Sequence, residues 1–365
     1  MTHISFRHAT LACVVLVGAW SGAARAQPAD IQGTGATFPA KVYAQWAQNY
    51  VRDTGKPLVY KPAGSSAGIK GITERSVDFG ASDVPLSQAE LDKRGLFQFP
   101  TLVGGVVPFV NLPGVASGAL QLDAPTLASV VAGRIARWND AAIRALNPAL
   151  ALPDLPVVRV VRADGSGTTE VFVAYLRLAA AAQATGIEPQ GGKARWPGET
   201  VAVEGSDRLA AAVKATPGAI GYASSDHVLR DGLAGVKLRN RRGEWVEPTT
   251  RSFKAAIVAA GLFKNSLEPA PLLDLDGVGV WPIVTATYVL VPREPASLER
   301  AGRTLNFFYR SFLMGDKAVA GTGFAPLPIA TQARIVTLLS GFRTSKGEPV
   351  PVIGSNEAAS TVAAR

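Results

Sequence analysis

The sequence is almost free of the residues that carry covalent and metal chemistry. Its one cysteine, Cys13, and two of its three histidines, His3 and His8, lie near the N-terminus. Cleavage of this part, predicted below, leaves His227 as the single histidine. The lack of cysteine then excludes disulfides, thiolate nucleophiles and cysteine-based zinc sites. One histidine excludes a paired-histidine metal site, and it allows a Ser-His-Asp triad only with His227 as the base.

Long apolar runs are also missing. No segment after residue 26 has the about 20 uninterrupted apolar residues of a membrane-spanning helix. Residues 1–26 have a weakly basic start, a short apolar run and a small-residue ending at Ala26, which is typical of a secretory signal peptide. We predict cleavage before Gln27 and a periplasmic location. Cys13 opens the apolar run rather than ending it, which argues against a lipid anchor.

The processed chain is long and basic. It has 365 − 26 = 339 residues, more than the about 250–300 at which a single core stops growing, so we predict two lobes. The leader holds Arg7 and Arg25 and no acid, which leaves 37 − 2 = 35 basic and 28 acidic residues, a net charge of +7. This charge suits an anionic ligand, and it suits a generally basic surface equally well.

Short apolar runs alternate with longer amphipathic segments, a pattern typical of α/β domains. Pro39 occupies a first helical position, Ser87–Glu90 has the pattern of a capping box, and a helix is predicted from Thr168 to about Ala182. Residues 353–365 form a small, polar tail that we expect to fray. The predicted strands are Leu58–Tyr60, Val77–Gly80, Pro156–Val161, Gly218–Tyr222 and Trp281–Val291, the last a candidate return crossing between lobes.

Three predicted strand-to-helix junctions combine glycines with hydroxyl residues. Unpaired N–H groups and a partial positive charge at a helix N-terminus favour an anion, and serine or threonine hydroxyls add donors. Each junction alone is better explained by ordinary capping and turns. Together with Arg162 they predict an anion-binding site. The junctions are Thr37–Phe38, Gly64–Ser66 and Gly165–Thr168.

Several segments are similar to nucleotide-binding or enzymatic motifs, but none of them matches such a motif. Gly33–Pro39 lacks the third glycine of the dinucleotide fingerprint, and Gly64–Lys70 lacks the spacing of a P-loop. Ser166 is not flanked by the glycines of G-x-S-x-G, and a serine nucleophile needs a base. His227 is interpreted as a surface turn residue rather than that base. We therefore predict a non-enzyme with no catalytic residue, no metal and no cofactor.

Four segments, in the right order, resemble the periplasmic phosphate-binding proteins of bacterial phosphate ABC transporters. The similarity extends over nearly all of the processed chain, to about residue 330. It implies a two-lobed type II solute-binding protein, in which each lobe is a mixed sheet flanked by helices and the ligand lies in the interlobe cleft. Lobe I would comprise residues 27–109 and 281–352, and lobe II residues 110–280. The four segments are Gly33–Pro39, Gly64–Gly68, Val77–Ser87 and Arg162–Thr168.

The resemblance also implies a ligand site for inorganic phosphate, built from both lobes. In this reading Asp164 holds Arg162 in place, and Glu170 faces outward because it would otherwise repel the anion. The implied ligand contacts are Thr37, the N–H of Phe38, Ser65, Asp83, Arg162, Ser166, the N–H of Gly167, and Thr168.

Asp83 is the unexpected member of this set, because it is a carboxylate directed at an anion. An ionised carboxylate only accepts hydrogen bonds, so Asp83 can pair with phosphate only through a P–OH proton. Sulfate has no such proton at neutral pH, and we expect it to be rejected. We further expect Arg162→Ala to weaken phosphate binding strongly and to leave the melting temperature of the ligand-free protein nearly unchanged.

The resemblance implies the membrane permease and ATPase subunits of the transporter as partners. It implies a monomer that is not embedded in the membrane and does not bind nucleic acid. Two alternatives stay open on sequence alone. One is a secreted phosphatase, which would need a metal cluster or an activated nucleophile. The other is a surface adhesion or signalling protein in which the anion site is incidental.

Overall fold

The structure, a computed structural model, describes residues 31–261, 267–270 and 272–352. The predicted signal peptide, Cys13 and the predicted C-terminal tail lie outside the described residues.

Strands and helices alternate along most of the chain, as the hydrophobic pattern predicts. The strands are β1 (Ile31–Gly35), β2 (Leu58–Pro62), β3 (Phe79–Ser82), β4 (Leu96–Val110), β5 (Gln121–Leu122), β6 (Val158–Arg162), β7 (Glu188–Gln190), β8 (Lys193–Arg195), β9 (Val201–Val203), β10 (Ala219–Ser224), β11 (Ala234–Gly235), β12 (Lys237–Arg239), β13 (Trp245–Val246) and β14 (Val284–Pro292). The helices are α1 (Ala40–Thr54), α2 (Ser65–Thr73), α3 (Gln88–Arg94), α4 (Ala124–Val131), α5 (Ala141–Leu146), α6 (Gly167–Ala179), α7 (Ser206–Ala215), α8 (Ser225–Asp231), α9 (Thr250–Ala259), α10 (Leu298–Leu313) and α11 (Ile329–Ser340), with a 3-10 turn at Gly315–Ala318.

A nine-stranded sheet forms the framework, in the order β2-β1-β3-β14-β4-β10-β6-β9, with β11 beside β4. Strand β1 pairs in parallel with β2 and β3, and β6 pairs in parallel with β9 and β10. The long strands β4 and β14 are antiparallel at the centre. Within each parallel group the carboxyl ends of the strands meet at one edge, and the loops that follow them gather there.

Strand β4 joins the two parts of the sheet. Its residues 96–105 pair with β14, and its residues 106–110 pair with β10. Both β4 and β14 are buried over nearly their whole length, so layers of structure cover both of their faces. The predicted crossing segment, 281–291, therefore lies beside β4 at the junction of the two sheet halves.

Aromatic side chains pack the helices onto the first half of the sheet. The ring of Phe308 in α10 lies 5.1 Å from the ring of Phe79 in β3, and Phe307 lies 5.6 Å from Tyr50 in α1. The chain after residue 330 joins the same core, because Phe342 packs 5.5 Å from Phe97.

Several local features differ from the sequence-based expectations. Pro39 is the N-cap of α1 rather than its first residue, and β3 begins at Phe79 rather than Val77. Strand β14 begins at Val284 rather than Trp281, because Pro282 has no N–H to donate to a ladder. Helix α6 ends at Ala179. The capping box at Ser87 is half formed: its hydroxyl accepts from Glu90 N, whereas the Glu90 carboxylate binds Arg94.

Candidate anion-binding site

Four strand-to-helix junctions converge on one buried site. The junction after β1 carries Thr37 and Phe38, the junction after β2 carries Ser65, and the junction after β6 carries Ser166–Thr168. The fourth junction, between β9 and α7, carries Ser206 and was not predicted. Each begins a helix, whose first N–H groups and partial positive charge favour an anion.

Arg162 lies at the end of β6 and is only 3% exposed. Its Nε donates to Asp164 Oδ1 at 2.6 Å and its Nη2 donates to Asp164 Oδ2, so the pair is bidentate. Gly205 N donates to the same carboxylate at 3.0 Å. Burial opposes ionisation of Asp164, but the hydrogen bonds and charge of Arg162 hold its pKa below the usual value. The sequence prediction that Asp164 holds Arg162 agrees with this geometry.

The other terminal nitrogen of Arg162 faces two hydroxyls. Nη1 donates to Thr37 Oγ1 at 3.1 Å and to Ser206 Oγ at 3.0 Å, and the two hydroxyls share a hydrogen bond of 2.8 Å. These three groups form a closed triangle that joins the junctions after β1, β6 and β9. We call it the hydroxyl triangle.

Asp83 follows β3 and is 1% exposed. Thr287 Oγ1 donates to its Oδ1 at 2.8 Å, and Thr168 Oγ1 makes a longer contact of 3.4 Å with its Oδ2. Its N–H donates to Ser65 Oγ at 3.2 Å, and its carbonyl accepts from Thr285 Oγ1 at 2.6 Å. Burial raises the pKa of Asp83 to about 7, although the hydroxyls and the charge of Arg162 act in the opposite direction.

Gly167 brings the two walls of the site together. A Cβ at this position would lie 2.4 Å from Ser65 Oγ and 2.9 Å from Asp83 Cβ, so only glycine fits. Nearby, Ser66 N donates to Gly165 O at 3.1 Å. The junction after β6 therefore touches the junctions after β2 and β3 directly, and the site is closed.

Ser166 serves as the N-cap of α6. Its Oγ accepts from Thr169 N at 3.2 Å, and its own N–H donates to Gly192 O at 2.7 Å. His227, the only histidine among the described residues, binds Ser224 and Asp207 instead. No activated nucleophile is thereby formed at Ser166.

The prediction that His227 is a surface turn residue is wrong. It lies in α8 and is 2% exposed, with Nε2 3.1 Å from Asp207 Oδ1 and Nδ1 3.1 Å from Ser224 Oγ. This resembles a Ser-His-Asp triad, but Ser224 is fully buried. Although burial favours the neutral ring, hydrogen bonds to Asp207 and Asp226 raise the pKa of His227 to about 9. The ring is protonated at neutral pH and cannot act as a base.

Glu170, expected to face outward, is half-buried. It lies at the edge of a cleft of about 390 Å³ whose lining also includes Asp83 and Val171. Burial raises the pKa of Glu170. The side chain thus stands beside the site rather than in open solvent.

A cleft of about 450 Å³, the mouth cleft, borders the hydroxyl triangle. Its lining includes two lysines and the acidic and basic residues that begin α7. Lys41 Nζ lies 3.9 Å from Asp207 Oδ2 across the cleft. The residues that line the mouth cleft are Thr37, Ala40, Lys41, Lys61, Pro62, Ala63, Asp164, Glu204, Gly205, Ser206, Asp207, Arg208 and His227.

The sequence reasoning missed Ser206, Thr285 and Thr287. A signal for Ser206 did exist, because Gly205-Ser206 repeats the glycine-hydroxyl pattern of Gly64-Ser65. Thr285 and Thr287 gave no comparable signal, since threonine is an ordinary residue in a β-strand.

The chemistry of the site is that of an anion receptor with one built-in acceptor. Arg162 supplies a permanent positive charge, the helix ends and hydroxyls supply donors, and Asp83 accepts. Such a set suits a tetrahedral anion that carries a hydrogen. Among the described residues, no cluster of three or more histidine, cysteine or acidic side chains could hold a metal ion. Every helix in that part of the chain is too short or too polar to span a bilayer.

Comparison with known proteins points to one family. A family model described as a PBP superfamily domain matches residues 22–309. The phosphate-binding protein PstS of Xylella fastidiosa (strain Temecula1) is 38% identical over 298 residues, which cover 82% of this chain and 81% of the relative. The phosphate-binding protein PstS of Haemophilus influenzae is 34% identical over 312 residues, which cover 83% of this chain and 90% of the relative.

Solved structures confirm the predicted two-lobed type II α/β fold. A high-affinity periplasmic phosphate-binding protein, PfluDING, solved with bound phosphate, superposes with a TM-score of 0.70 at 24% identity. The match covers 90% of this chain and 97% of that structure.

Proposed function

Because the chain belongs to the PBP superfamily and to its PstS phosphate-binding proteins, we propose that it binds inorganic phosphate for an ABC-type importer. Phosphate binding and transport follow from the family. The finer assignments below concern the ligand contacts, the selectivity, the location and the partners. The observation that carries them is that a buried guanidinium, Arg162, and a buried carboxylate, Asp83, belong to one closed site.

Phosphate would lie between these two charged groups. Asp164 engages Nε and one N–H of Nη2, and the hydroxyl triangle engages Nη1, so the remaining N–H of Arg162 Nη2 pairs with a phosphate oxygen. The surrounding hydroxyls and helix N–H groups pair with the other oxygens. Asp164 keeps the guanidinium oriented. The direct contacts in this proposal are Thr37, the N–H of Phe38, Ser65, Asp83, Arg162, Ser166, the N–H of Gly167, and Thr168.

Selectivity over sulfate would come from Asp83. Its Oδ1 is engaged by Thr287 at 2.8 Å, whereas its Oδ2 has only the longer contact with Thr168. Oδ2 therefore has capacity for a stronger donor, and the P–OH group of phosphate supplies one. Sulfate would place a bare oxygen against the carboxylate, which leaves a buried acceptor unpaired at a cost of roughly 1–3 kcal/mol or more.

The organisation of the chain fits export and delivery. Residues 1–26 would be the cleaved signal peptide that directs the protein to the periplasm, where it works as a monomer that binds no nucleic acid. Lobe I would comprise residues 27–109 and 281–352 and lobe II residues 110–280, with the crossing at β4 and β14. The permease and ATPase subunits of the transporter would be its partners, and no catalysis is assigned.

Calorimetry of the processed chain with phosphate and with sulfate tests this proposal at pH 9, where the carboxyl of Asp83, with its pKa of about 7, is ionised. We expect tight one-to-one binding of phosphate and no detectable heat with sulfate. Comparable affinity for sulfate would overturn the role of Asp83. Failure to bind any small anion would favour an adhesion or signalling protein, and turnover of a chromogenic phosphate ester would favour a phosphatase.

A further inference from the structure

Ser206 is absent from the phosphate contacts assigned above, yet its hydroxyl belongs to the hydroxyl triangle. Ser206 is 2% exposed. Its Oγ lies 2.8 Å from Thr37 Oγ1 and 3.0 Å from Arg162 Nη1. Both neighbours are proposed phosphate contacts, so Ser206 lies next to the proposed ligand position.

The direction of the hydrogen bonds in the triangle follows from the chemistry of its members. Arg162 can only donate, so both hydroxyl oxygens accept from its Nη1. One hydroxyl then donates to the other, and a single hydroxyl proton is left over. The ionised oxygens of phosphate only accept, so Thr37 can contact such an oxygen only by donating its proton. The bond between the two hydroxyls must then be donated by Ser206.

We propose that Ser206 is a positioning residue of the phosphate site, which fixes the hydroxyl proton of Thr37 toward the ligand. This inference rests on the proposed phosphate contact of Thr37. In the absence of Ser206, Thr37 is free to rotate its proton away from the site or toward water in the mouth cleft. Part of the binding free energy is then spent on orienting the hydroxyl.

Ser206 also stabilises the closed form of the protein. Thr37 follows β1 and Ser206 follows β9, two strands near opposite ends of the nine-stranded sheet. Their hydrogen bond joins the two walls of the mouth cleft, which both residues line. Closure therefore completes the donor set at the same moment as it encloses the ligand.

A double-mutant cycle with Ser206→Ala and Thr37→Val tests the proposal, with phosphate affinity measured by calorimetry. Ser206→Ala alone should weaken phosphate binding on the order of tenfold. In the Thr37→Val background the same change should cost less than about threefold, because the hydroxyl that Ser206 orients is gone. An equal cost in both backgrounds would overturn the proposal, and so would an unchanged affinity in Ser206→Ala.

Ser252→Ala is the matched control, since Ser252 is another buried serine in the first turn of a helix, away from the site. It should leave phosphate affinity unchanged even where it lowers the melting temperature. Wild-type protein that fails to bind phosphate would contradict the proposed function itself. Wild-type binding with an additive cycle would contradict only the role of Ser206.

Discussion

Thr287 donates a hydrogen bond of 2.8 Å to Oδ1 of Asp83, a residue 204 positions earlier in the chain. Thr285, on the same face of β14, donates to the Asp83 carbonyl at 2.6 Å. The central strand thus holds both the backbone and the side chain of Asp83. One carboxylate oxygen is firmly bonded to the protein, whereas the other, Oδ2, has only the 3.4 Å contact with Thr168 Oγ1.

This arrangement predicts that the Asp83→Asn variant binds sulfate as well as phosphate and so loses selectivity. The amide is close to isosteric and can donate to a bare oxygen, so sulfate should gain affinity. Dibasic phosphate can also accept from the amide and should still bind. We expect the ratio of phosphate to sulfate affinity to fall by about 10- to 100-fold, as measured by calorimetry. A variant that binds neither anion, although folded, would show that Asp83 shapes the site rather than selects the ligand.

The raised pKa of Asp83 predicts a pH dependence for sulfate binding to the wild-type protein. Sulfate needs a protonated Asp83, whose pKa is about 7. Sulfate affinity should therefore be highest below pH 7 and fall about tenfold for each pH unit above it. Titrations between pH 5 and 9 measure this slope, and Asp83→Asn should abolish it. A sulfate affinity that does not vary with pH in the wild type contradicts the mechanism.

His227 predicts a second pH effect, on stability. Its pKa is about 9 in the folded protein, against about 6.5 when unfolded. The folded state holds the proton more tightly, so this stabilisation is complete below about pH 6.5 and is lost as pH rises through 9. The melting temperature of ligand-free protein should fall roughly 2–5 °C more than that of His227→Gln between pH 6.5 and 9.5. If the melting temperatures of the two proteins fell equally with pH, His227 would not be charged in the folded protein.

The groups that face His227 explain why its role was invisible in the sequence. Asp226 and Arg230 lie on its own helix, but the decisive partner, Asp207, comes from the start of α7. The local pattern Ser224-Ser225-Asp226 predicts a surface turn, although α8 begins at Ser225. It does not show that a carboxylate 20 positions earlier packs against the ring.

The rest of the site was predictable to the extent that its signals are local. The glycine-hydroxyl junctions at Ser65 and Ser166–Thr168 are written in consecutive residues, and both are present in the structure. Ser206 escaped because β9 has only three residues and two of them are exposed, so no apolar run marks the strand before it. Thr287 depends on the register of β14, which no short segment determines.

The ion pair between Arg162 and Asp164 predicts that mutation has two separable effects, one on phosphate binding and one on stability. The pair is buried, and the Asp164 side chain is 14% exposed, so Arg162→Ala leaves a carboxylate without its partner. We now expect this variant to lose phosphate binding and also about 3–5 kcal/mol of stability, unlike the sequence-based expectation of a nearly unchanged melting temperature. Arg162→Ala combined with Asp164→Ala should recover most of the stability without recovering binding. Denaturant unfolding and calorimetry measure the two effects, and recovered binding in the double variant would show that Arg162 is not a ligand contact.

We expect the Gly167→Ala variant to be stable but unable to bring the two walls of the site into contact. Gly167 is the first residue of α6, where alanine is at least as good a helix former, so the ligand-free melting temperature should be unchanged or slightly raised. In the closed form the added methyl would lie 2.4 Å from Ser65 Oγ and 2.9 Å from Asp83 Cβ.

One wall of the site must therefore stay apart from the other, and phosphate affinity should fall at least tenfold on calorimetry. Gly341→Ala is the control, because the nearest atom to its Cβ is Thr337 O at 3.5 Å, an ordinary contact. It should bind phosphate like the wild type. Small-angle scattering with and without phosphate should show compaction in the wild type and none in Gly167→Ala. Full affinity in Gly167→Ala would mean that phosphate binds without the contact between Gly167, Ser65 and Asp83.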